Sequence, residues 1–429
     1  MNAFTNAKLP SPVWTYEPDG FQTGSNCWEL HKALYGLKTS PLLWYKDFTA
    51  TLESLGLWPV LDVPCLWMND RIFVFFYVDD IMTLAKPGHA SALEDFEKKL
   101  EKRYEITNFQ DRENHTFCGI TSYRNREDGQ LWLSQRDYID QIYHKFVPPT
   151  KMAWSKAPST PLPLDELVPH NEVKNDDNCQ RYAQIVGSIG WCATGTRPDT
   201  AKAHSKLAQF LTNPGPWHLA AAYQCLAYLY HTRDQALHYS ADLTDDHVDL
   251  RVTEEPDFFA ATDASYADHR ASRKSSGGYI LYLFGGPIDW KATLQRCVTK
   301  STTEAELISA STGATELIWW NRVFKELRLE FDHERILFCD NQQTLRLLTS
   351  EAPLLKTSLR HVDIHHHWLR EQTMDGTIKP VYIETKAQPA DGLTKLLPRQ
   401  RHEDWLKLLQ LQPLPKTQEQ TATTPSQSQ

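Results

Sequence analysis

The stretch Phe73-Val74-Phe75-Phe76-Tyr77-Val78-Asp79-Asp80-Ile81-Met82 places two adjacent carboxylates between two apolar, strand-forming runs. This pattern predicts two antiparallel strands with Asp79 and Asp80 at the tight turn between them. Since an unpaired buried carboxylate is costly, the pair is expected at the solvent or on a metal ion. Carboxylate oxygens are ligands that suit magnesium, and if the ion is magnesium, phosphate is the expected substrate. On these residues alone, an exposed hairpin tip with ordinary Asp-Asp turn chemistry is the competing interpretation.

The composition allows two or three domains, because 41% of the 429 residues are apolar and 23% are charged. The net charge of -9 disfavours a generic polyanion binder, although a basic groove can lie on an acidic protein. The eight cysteines form no Cys-x-x-Cys pair and lie in apolar contexts, which predicts buried free thiols. No signal peptide opens the chain, and no apolar run approaches the ~20 residues of a membrane span. We therefore expect an intracellular protein of the cytoplasm or nucleus with no membrane partner.

The distribution of apolar, polar and Pro-rich stretches predicts a chain of the α/β (α+β) class. In the sequence between the mixed first part and the last domain we expect helices over residues 182–193, 200–211 and 217–231. The expected division is residues 1–147 of mixed helix and strand, a Pro-rich and polar linker at 148–180, a helical segment at 181–240, an acidic linker at 241–257, an α/β domain at 258–411 and a disordered tail at 412–429.

The last domain contains a second set of carboxylates in positions that suggest a site. Asp263 is expected at the end of a short apolar strand. Glu306 is expected on a helix that Ser301 or Thr302 caps and that runs to about residue 329. On that helix Glu306 shares a face with small residues, of which Gly313 is one, so its side chain can point into a cleft.

Two further carboxylates complete this set. Asp340 follows an apolar strand, and Asp391 lies at or near a helix N-terminus. Carboxylates at strand ends and helix starts are where α/β folds collect catalytic groups. Four together can hold two magnesium ions about 3.5–4 Å apart, which clamp the oxygens of a phosphodiester. Each residue taken alone is equally well explained as a cap or turn residue, and Asp391 above all.

Four blocks of sequence carry a resemblance to one family. They are Leu-Tyr-Gly-Leu-Lys-Thr-Ser-Pro at 34–41 with Trp44, Tyr-Val-Asp-Asp at 77–80, the motifs at 186–189 and 195–199, and a last set at 262–265, 272–279, 301–306, 339–342, 361–365 and 390–395. In order and spacing these blocks, which extend over residues 1–400, resemble the Pol polyprotein of copia-type LTR retrotransposons. The similar part is the later portion of the reverse transcriptase followed by the RNase H domain.

The resemblance implies a partial polymerase palm with a helical thumb or connection, followed by an RNase H-like mixed-sheet domain. It makes Asp79 and Asp80 metal-binding carboxylates of the palm. It makes four residues the RNase H carboxylates that hold two Mg²⁺ ions: Asp263, Glu306, Asp340 and Asp391. Lys38 is then near the incoming nucleotide or the template. Thr39 stands where the family usually has Gln, so the role of that Gln in positioning the base is not carried over to Thr39.

Basic and histidine residues supply candidate substrate contacts beside these carboxylates. Arg273 and Lys274 belong to a local basic excess between residues 263 and 300, which suits a hybrid-binding groove or a solvated hairpin face. Asn341 follows Asp340 in the matching motif. His361 and His365 have the i, i+4 spacing of a zinc site, but no Cys or further His stands at finger spacing. We therefore favour a helix face that contacts a phosphate backbone or packs under the site.

The resemblance is incomplete at the start of the chain. In the family a third palm Asp comes just before the segment similar to residues 2–5, and the fingers precede it, whereas this chain begins at Met1. The palm metal site is therefore expected to be incomplete, and independent polymerase activity is not expected. A longer chain with an Asp-containing strand upstream of Met1 would instead be a full polymerase.

The function that follows is metal-dependent hydrolysis of RNA in RNA–DNA hybrids by the last domain, in a fragment of reverse-transcriptase ancestry. Expected partners are RNA–DNA hybrid, DNA and RNA, and other products of the same element. The alternative is a non-catalytic remnant that binds nucleic acid or a partner protein. The two differ in whether a labelled hybrid is cut or only bound.

Overall fold

The structure is a computed structural model that describes residues 3–21, 24, 27–106, 114–147, 157–240, 256–329, 331, 334–350 and 360–415, with the backbone alone at 360–362. The chain divides into two compact units, Met1–Arg112 with Asn321–Glu330, and Glu113–Trp320 with Phe331–Gln429. Nearly all of the acidic linker expected at 241–257 and most of the expected tail lie outside the described residues. The overall division into domains stays a prediction. Within the described part, no helix has the length and apolar character needed to cross a membrane.

The first unit contains a two-stranded hairpin and a four-stranded antiparallel sheet of order β3-β4-β5-β6. Its strands are β1 (Lys8–Tyr16), β2 (Cys27–Lys32), β3 (Trp58–Val60), β4 (Val63–Met68), β5 (Ile72–Tyr77) and β6 (Asp80–Ala85). Its helices are the short 3-10 helix Ala3–Asn6, α1 (Ser40–Ser54) and α2 (Ala90–Glu101).

The core of the first unit forms because β5 alternates between its two faces. Ile72, Val74 and Phe76 are buried, and the residues between them are partly exposed. On the buried face the ring of Phe48 from α1 meets Phe76 edge-on, with centroids 4.8 Å apart. Phe96 of α2 belongs to the same apolar cluster. This packing fixes the register of β5 against β6, because a one-residue slip would expose the apolar face.

The second unit contains two five-stranded sheets, of orders β16-β10-β9-β8-β7 and β13-β12-β11-β14-β15. Its strands are β7 (Asn114–Phe117), β8 (Ile120–Asn125), β9 (Gln130–Ser134), β10 (Gln235–Ser240), β11 (Phe258–His269), β12 (Lys274–Leu283), β13 (Gly286–Leu294), β14 (Ile336–Cys339), β15 (Lys379–Tyr382) and β16 (Leu411–Pro413). Its helices are α3 (Arg136–Phe146), α4 (Asp176–Gly195), α5 (Ala201–Leu207), α6 (Pro216–His231), α7 (Thr302–Glu326, which ends in the first unit), α8 (Gln342–Thr349), α9 (Arg360–Met374), α10 (Asp391–Thr394) and α11 (Arg399–Leu408), with 3-10 turns at Pro198–Thr200, Ala208–Phe210 and Thr385–Ala387.

The second of these sheets is mixed, since β11 pairs antiparallel with β12 and parallel with β14. Helix α7 approaches β11 closely at Gly313, where an added Cβ would come within 2.4 Å of Thr262 Cγ2. The Ser301 hydroxyl accepts a hydrogen bond from the Glu304 backbone N–H, so Ser301 caps the start of α7 as expected. The mixed α/β class and the mixed sheet in the last part of the chain are confirmed.

A buried polar network joins the helical segment of the second unit to α11. The Arg197 guanidinium donates two hydrogen bonds to the carboxylate of Asp199, at 2.9 and 2.7 Å. The Tyr228 hydroxyl donates to Asp199 at 2.6 Å and lies 2.9 Å from Nε2 of His402 on α11. Neither Arg197 nor Asp199 exposes its side chain. The helical segment and the C-terminal helix therefore share one folded body.

Three local expectations were wrong. Asp263 lies in the middle of a twelve-residue strand rather than at a strand end, because the polar half of β11 continues to pair with β12 as far as His269. Helix α4 begins at Asp176, inside the expected linker, because the Asn175 side chain accepts from the N–H of Asn178 and caps it. Residues 412–413 of the expected tail belong to β16, which pairs with β10.

Candidate metal centres

The Asp79–Asp80 pair lies at a two-residue hairpin turn, as predicted. Tyr77 pairs with Asp80, so Val78 and Asp79 form the turn between β5 and β6. Val78 has a φ of +56°, a conformation that β-branched residues rarely adopt. Both carboxylates are exposed to solvent. A strained turn that presents two exposed carboxylates suits cation binding, although the turn alone does not require it.

Residues of the sequence block at 34–44 contact this turn. The indole Nε1 of buried Trp44 donates a hydrogen bond of 2.5 Å to the Val78 carbonyl. Desolvation, together with the negative charge of Asp79, raises the pKa of the Tyr35 hydroxyl. Lys38 and Thr39 are exposed just before α1. The blocks at 34–44 and 77–80, which are far apart in sequence, therefore meet in the first unit.

The four carboxylates of the last domain come together from four elements of the second unit. Asp263 lies on β11 opposite Gly278 of β12, and Glu306 lies in the second turn of α7. Asp340 follows β14 directly, and Asp391 begins the short helix α10. Three of the four are buried, while Asp340 is partly exposed. The predicted grouping is therefore what the fold produces.

The electrostatics of this cluster show that negative charge is crowded and poorly solvated. Burial raises the pKa of Asp263 to about 6; the charges of Asp340 and Asp391 add to the increase, and Lys395 and Thr394 oppose it. Burial also raises the pKa of Glu306 well above its ordinary value, with Asp263 and Asp340 as further causes. Such raised values indicate that burial and neighbouring negative charge outweigh the positive charge present at the site, an imbalance that a bound cation would reduce.

Neighbouring side chains hold two of the carboxylates. The Thr394 hydroxyl donates a hydrogen bond to Oδ2 of Asp263. The Lys395 ammonium lies 3.4 Å from Oδ2 of Asp263 and 2.8 Å from Oδ1 of Asp391. Arg401 approaches the other oxygen of Asp391 at 3.4 Å. The motif at 390–395 thus supplies both a carboxylate and the groups that orient it.

The residues present fit a divalent cation. The Oε2 atom of buried Glu306 has no hydrogen-bond partner within the described part of the chain. Ligand atoms of Glu306, Cys339 and Asp340 all lie within 4.8 Å of one another, the one such group of three among the described residues. An orphaned buried carboxylate oxygen is costly unless a ligand satisfies it. Carboxylate oxygens are also the donors that magnesium prefers.

The remaining residues predicted to contact substrate lie on several different elements of the second unit. Arg273, with a φ of +55°, is exposed in the turn between β11 and β12, and Lys274 begins β12. The Asn341 side chain caps α8 by accepting from the N–H of Thr344, so its carbonyl oxygen has a structural role. His365 Nδ1 lies 2.8 Å from the hydroxyl of Ser311 on α7. The side chain of His361 lies outside the described residues.

Two lysines beside the cluster were missed by reasoning from the sequence. Lys202 of α5 is buried and donates to the Ser276 hydroxyl at 2.5 Å, and both Lys202 and Lys206 pair with Asp268 of β11. Burial lowers the pKa of Lys202 to about 8 against the opposing charge of Asp268. The i, i+4 spacing of the lysines was visible, but nothing in the sequence showed which element they would face.

These lysines line a cleft of about 430 Å³ in the second unit. The cleft wall includes Thr394 and Lys395, so it opens beside the carboxylates. Another part of the wall comes from residues 162–167, whose Glu166 pairs with Arg270 at 3.1 Å. Positive side chains from three separate segments therefore meet next to the candidate metal centre.

Comparison with known proteins gives a consistent set of relatives. Residues 1–160 match a family described as reverse transcriptase (RNA-dependent DNA polymerase). The chain is 32% identical over 416 residues to the retrovirus-related Pol polyprotein from transposon TNT 1-94 of Nicotiana tabacum, covering 94% of this chain and 30% of that protein. It is 30% identical over 406 residues to the Pol polyprotein from transposon RE1 of Arabidopsis thaliana, covering 93% of this chain and 26% of that protein. The chain therefore spans less than a third of the length of these relatives.

A shorter relative and a solved structure extend the comparison. A putative transposon Ty5-1 protein of Saccharomyces cerevisiae is 29% identical over 328 residues, covering 73% of this chain and 98% of that protein. A structure of the foamy viral protease-reverse transcriptase in complex with RNA/DNA hybrid aligns at 15% identity with a TM-score of 0.46, covering 95% of this chain and 43% of that chain.

Proposed function

Because the chain belongs to the Pol polyprotein family of copia-type retrotransposons, we propose that its second unit hydrolyses the RNA strand of RNA–DNA hybrids. One observation in this chain carries the proposal. Four carboxylates from separate elements meet here, and burial together with the negative charge of neighbouring carboxylates raises the pKa of Asp263 and of Glu306. A fold gains no stability from such crowding, which is typical of sites that take a cation.

Asp263, Glu306, Asp340 and Asp391 would hold the cations. Two magnesium ions bound there would supply an activated water molecule and would stabilise charge on the leaving 3′ oxygen. The protein's own contribution is to fix the carboxylates in place before substrate arrives. Lys395 and Thr394 hold Asp263, and the Thr385 hydroxyl donates to Oδ2 of Asp340 at 2.8 Å. Preorganised ligands of this kind lower the cost of assembling the site.

The lysine-lined cleft supports nucleic acid as the substrate. Lys202, Lys206 and Lys395 line it beside the carboxylates. A phosphate backbone that reaches the metal centre would therefore lie alongside positively charged side chains. Asp268 and Glu166 neutralise part of this charge in the absence of substrate. Recognition would depend on the shape of the hybrid and on the 2′-hydroxyl groups rather than on base sequence.

For Asp79 and Asp80 we infer a polymerase metal site by ancestry. Their turn has the exposure and the backbone strain of a functional hairpin tip. Within the described part of the chain, however, they do not belong to a cluster of three potential ligands, whereas Glu306 and Asp340 do. Hydrolysis at the second site, rather than polymerisation at the first, is therefore the activity that we assign.

The experiment is a cleavage assay on the purified full chain with magnesium and a hybrid labelled on its RNA strand. We expect cleavage by the unaltered chain and by Asp289→Asn, and none by Asp263→Asn. Asp289 is the control because it is a partly buried carboxylate of the same sheet, on β13, that accepts a hydrogen bond from Trp320 and lies outside the cluster. A hybrid that is bound but left intact by the unaltered chain would favour the non-catalytic remnant. Equal cutting by Asp263→Asn would place the activity elsewhere.

A further inference from the structure

We propose that Cys339, Glu306 and Asp340 form a binding site for thiophilic divalent cations such as Zn²⁺ or Cd²⁺. The Cys339 sulfur and one carboxylate oxygen from each of the other two residues lie within 4.8 Å of one another. Three atoms at such spacing can reach a common ion with small side-chain adjustments, because zinc lies about 2.0–2.3 Å from its oxygen and sulfur ligands. A mixed sulfur and oxygen site of this kind is not one that magnesium would select.

A second observation points to a ligand at this position. Glu306 exposes only 5% of its surface, and its Oε2 atom has no hydrogen-bond partner within the described part of the chain. The same carboxylate group contributes an oxygen to the cluster with Cys339. A buried carboxylate oxygen without a donor needs a cation or water to offset its desolvation.

The surroundings of Cys339 distinguish it from an ordinary core cysteine. It is the last residue of β14, directly before Asp340, and its sulfur accepts a hydrogen bond of 3.4 Å from the Asn341 backbone N–H. Cys192 and Cys225, the other buried cysteines, belong to the apolar cluster of helices α4 and α6 instead. Burial alone therefore does not explain the proximity of the Cys339 thiol to two carboxylates.

The donor set determines which ions the site would take. Magnesium prefers oxygen ligands in near-octahedral geometry, whereas thiolate selects zinc and related soft ions. Coordination would replace the proton of the Cys339 thiol, which passes to the solvent. Since Glu306 and Asp340 are shared with the proposed magnesium site, a soft ion bound here would exclude productive magnesium and stop cleavage. This last consequence rests on the proposed function, whereas the binding itself does not.

The binding is tested by titrating Cd²⁺ into the metal-free full chain in a thiol-free buffer and recording the sulfur-to-metal charge-transfer absorbance. The full chain and Cys225→Ser should show the same absorbance, and Cys339→Ser should lose the tightest-binding component. Cys225 is the matched control because it is equally buried but lies among apolar side chains. An unchanged titration in Cys339→Ser overturns the proposal.

Two further measurements test the proposed site independently of the first titration. Glu306→Gln retains the thiol but removes the orphaned carboxylate, so its tightest cadmium component should weaken by at least about tenfold; an unweakened component would contradict the three-residue site. In the cleavage assay with excess magnesium, the unaltered chain and Cys339→Ser are each compared with their own cadmium-free rate, and Cys339→Ser should need about tenfold more Cd²⁺ for half inhibition. If the unaltered chain cuts no hybrid, the proposed function fails while the absorbance still decides the binding site.

Discussion

Replacing Asp263 with Asn should make the metal-free protein more stable while it abolishes cleavage. The pKa of Asp263 is raised from 3.8 to about 6, mainly by burial. Between these two pH values the folded state keeps a proton that the unfolded state has released, so stability falls as pH rises through this window. Each pKa unit corresponds to about 1.4 kcal/mol, so ionised Asp263 lowers the free energy of unfolding at pH 7 by about 3 kcal/mol. Asn does not ionise and avoids this cost, while its amide oxygen can still accept from Thr394.

The same strand offers a control with the opposite sign. Burial raises the pKa of Asp268, but Lys202, Ser276 and Lys206 outweigh it, so the pKa of Asp268 lies below its ordinary value. Its carboxylate therefore contributes stability above the ordinary pKa, and this contribution is lost as pH falls through the folded value. Asp268→Asn should accordingly destabilise the protein at pH 7, where Asp263→Asn stabilises it.

The assay is hydrogen exchange of the amides of β11 and β12 in EDTA at pH 7, because a chain of two units need not unfold in one step. Asp263→Asn should increase the opening free energy by about 1–3 kcal/mol at pH 7. The difference should shrink as pH is lowered toward 4, where Asp263 of the unaltered chain is protonated. A variant less stable than the unaltered chain at pH 7 would refute the claim that the cluster is electrostatically crowded.

Two further predictions concern stability away from the cluster. Arg197→Met leaves Asp199 buried without its partner and should cost about 3–5 kcal/mol in urea unfolding of the second unit, whereas Arg197→Met combined with Asp199→Leu should cost less. Burial lowers the pKa of His218 to about 4, so the unfolded state binds the additional proton between pH 6.5 and about 4 and stability falls as pH decreases through that window. His218→Asn should flatten this part of a stability-against-pH series, and an unchanged slope would assign it to other groups.

Much of the fold could be predicted from local patterns, and the errors have physical causes. The alternation of β5 and the Asp79 turn predicted a hairpin, which β6 completes. Helix α4 was placed too late because the polar residues before Arg181 suggest a linker, although Asn175 is a strong N-cap. Strand β11 was made too short because its second half is polar. Pairing with β12, rather than apolar character, holds that half in the sheet.

The candidate site was predictable in its residue types but not in its surroundings. Asp263 and Glu306 were identified from sequence motifs, and the fold brings them together. The role of Lys202 depends on which element α5 faces, which is decided by tertiary packing. Cys339 was interpreted as one of several buried thiols. Its proximity to Glu306 comes from α7 packing against β11, and this close approach depends on Gly313.

The two carboxylate sites oppose stability in different ways. At the first, Val78 holds a strained φ that the Trp44 hydrogen bond maintains. At the second, rigid strands hold Asp263 near other carboxylates in a poorly solvated place. A cation that binds the folded state alone stabilises it by RT ln(1 + [L]/Kd). Because the electrostatic cost is concentrated at the second site, magnesium should raise the opening free energy of β11 in the unaltered chain and raise it less in Asp263→Asn. An equal increase in both would mean that the ion stabilises the chain elsewhere.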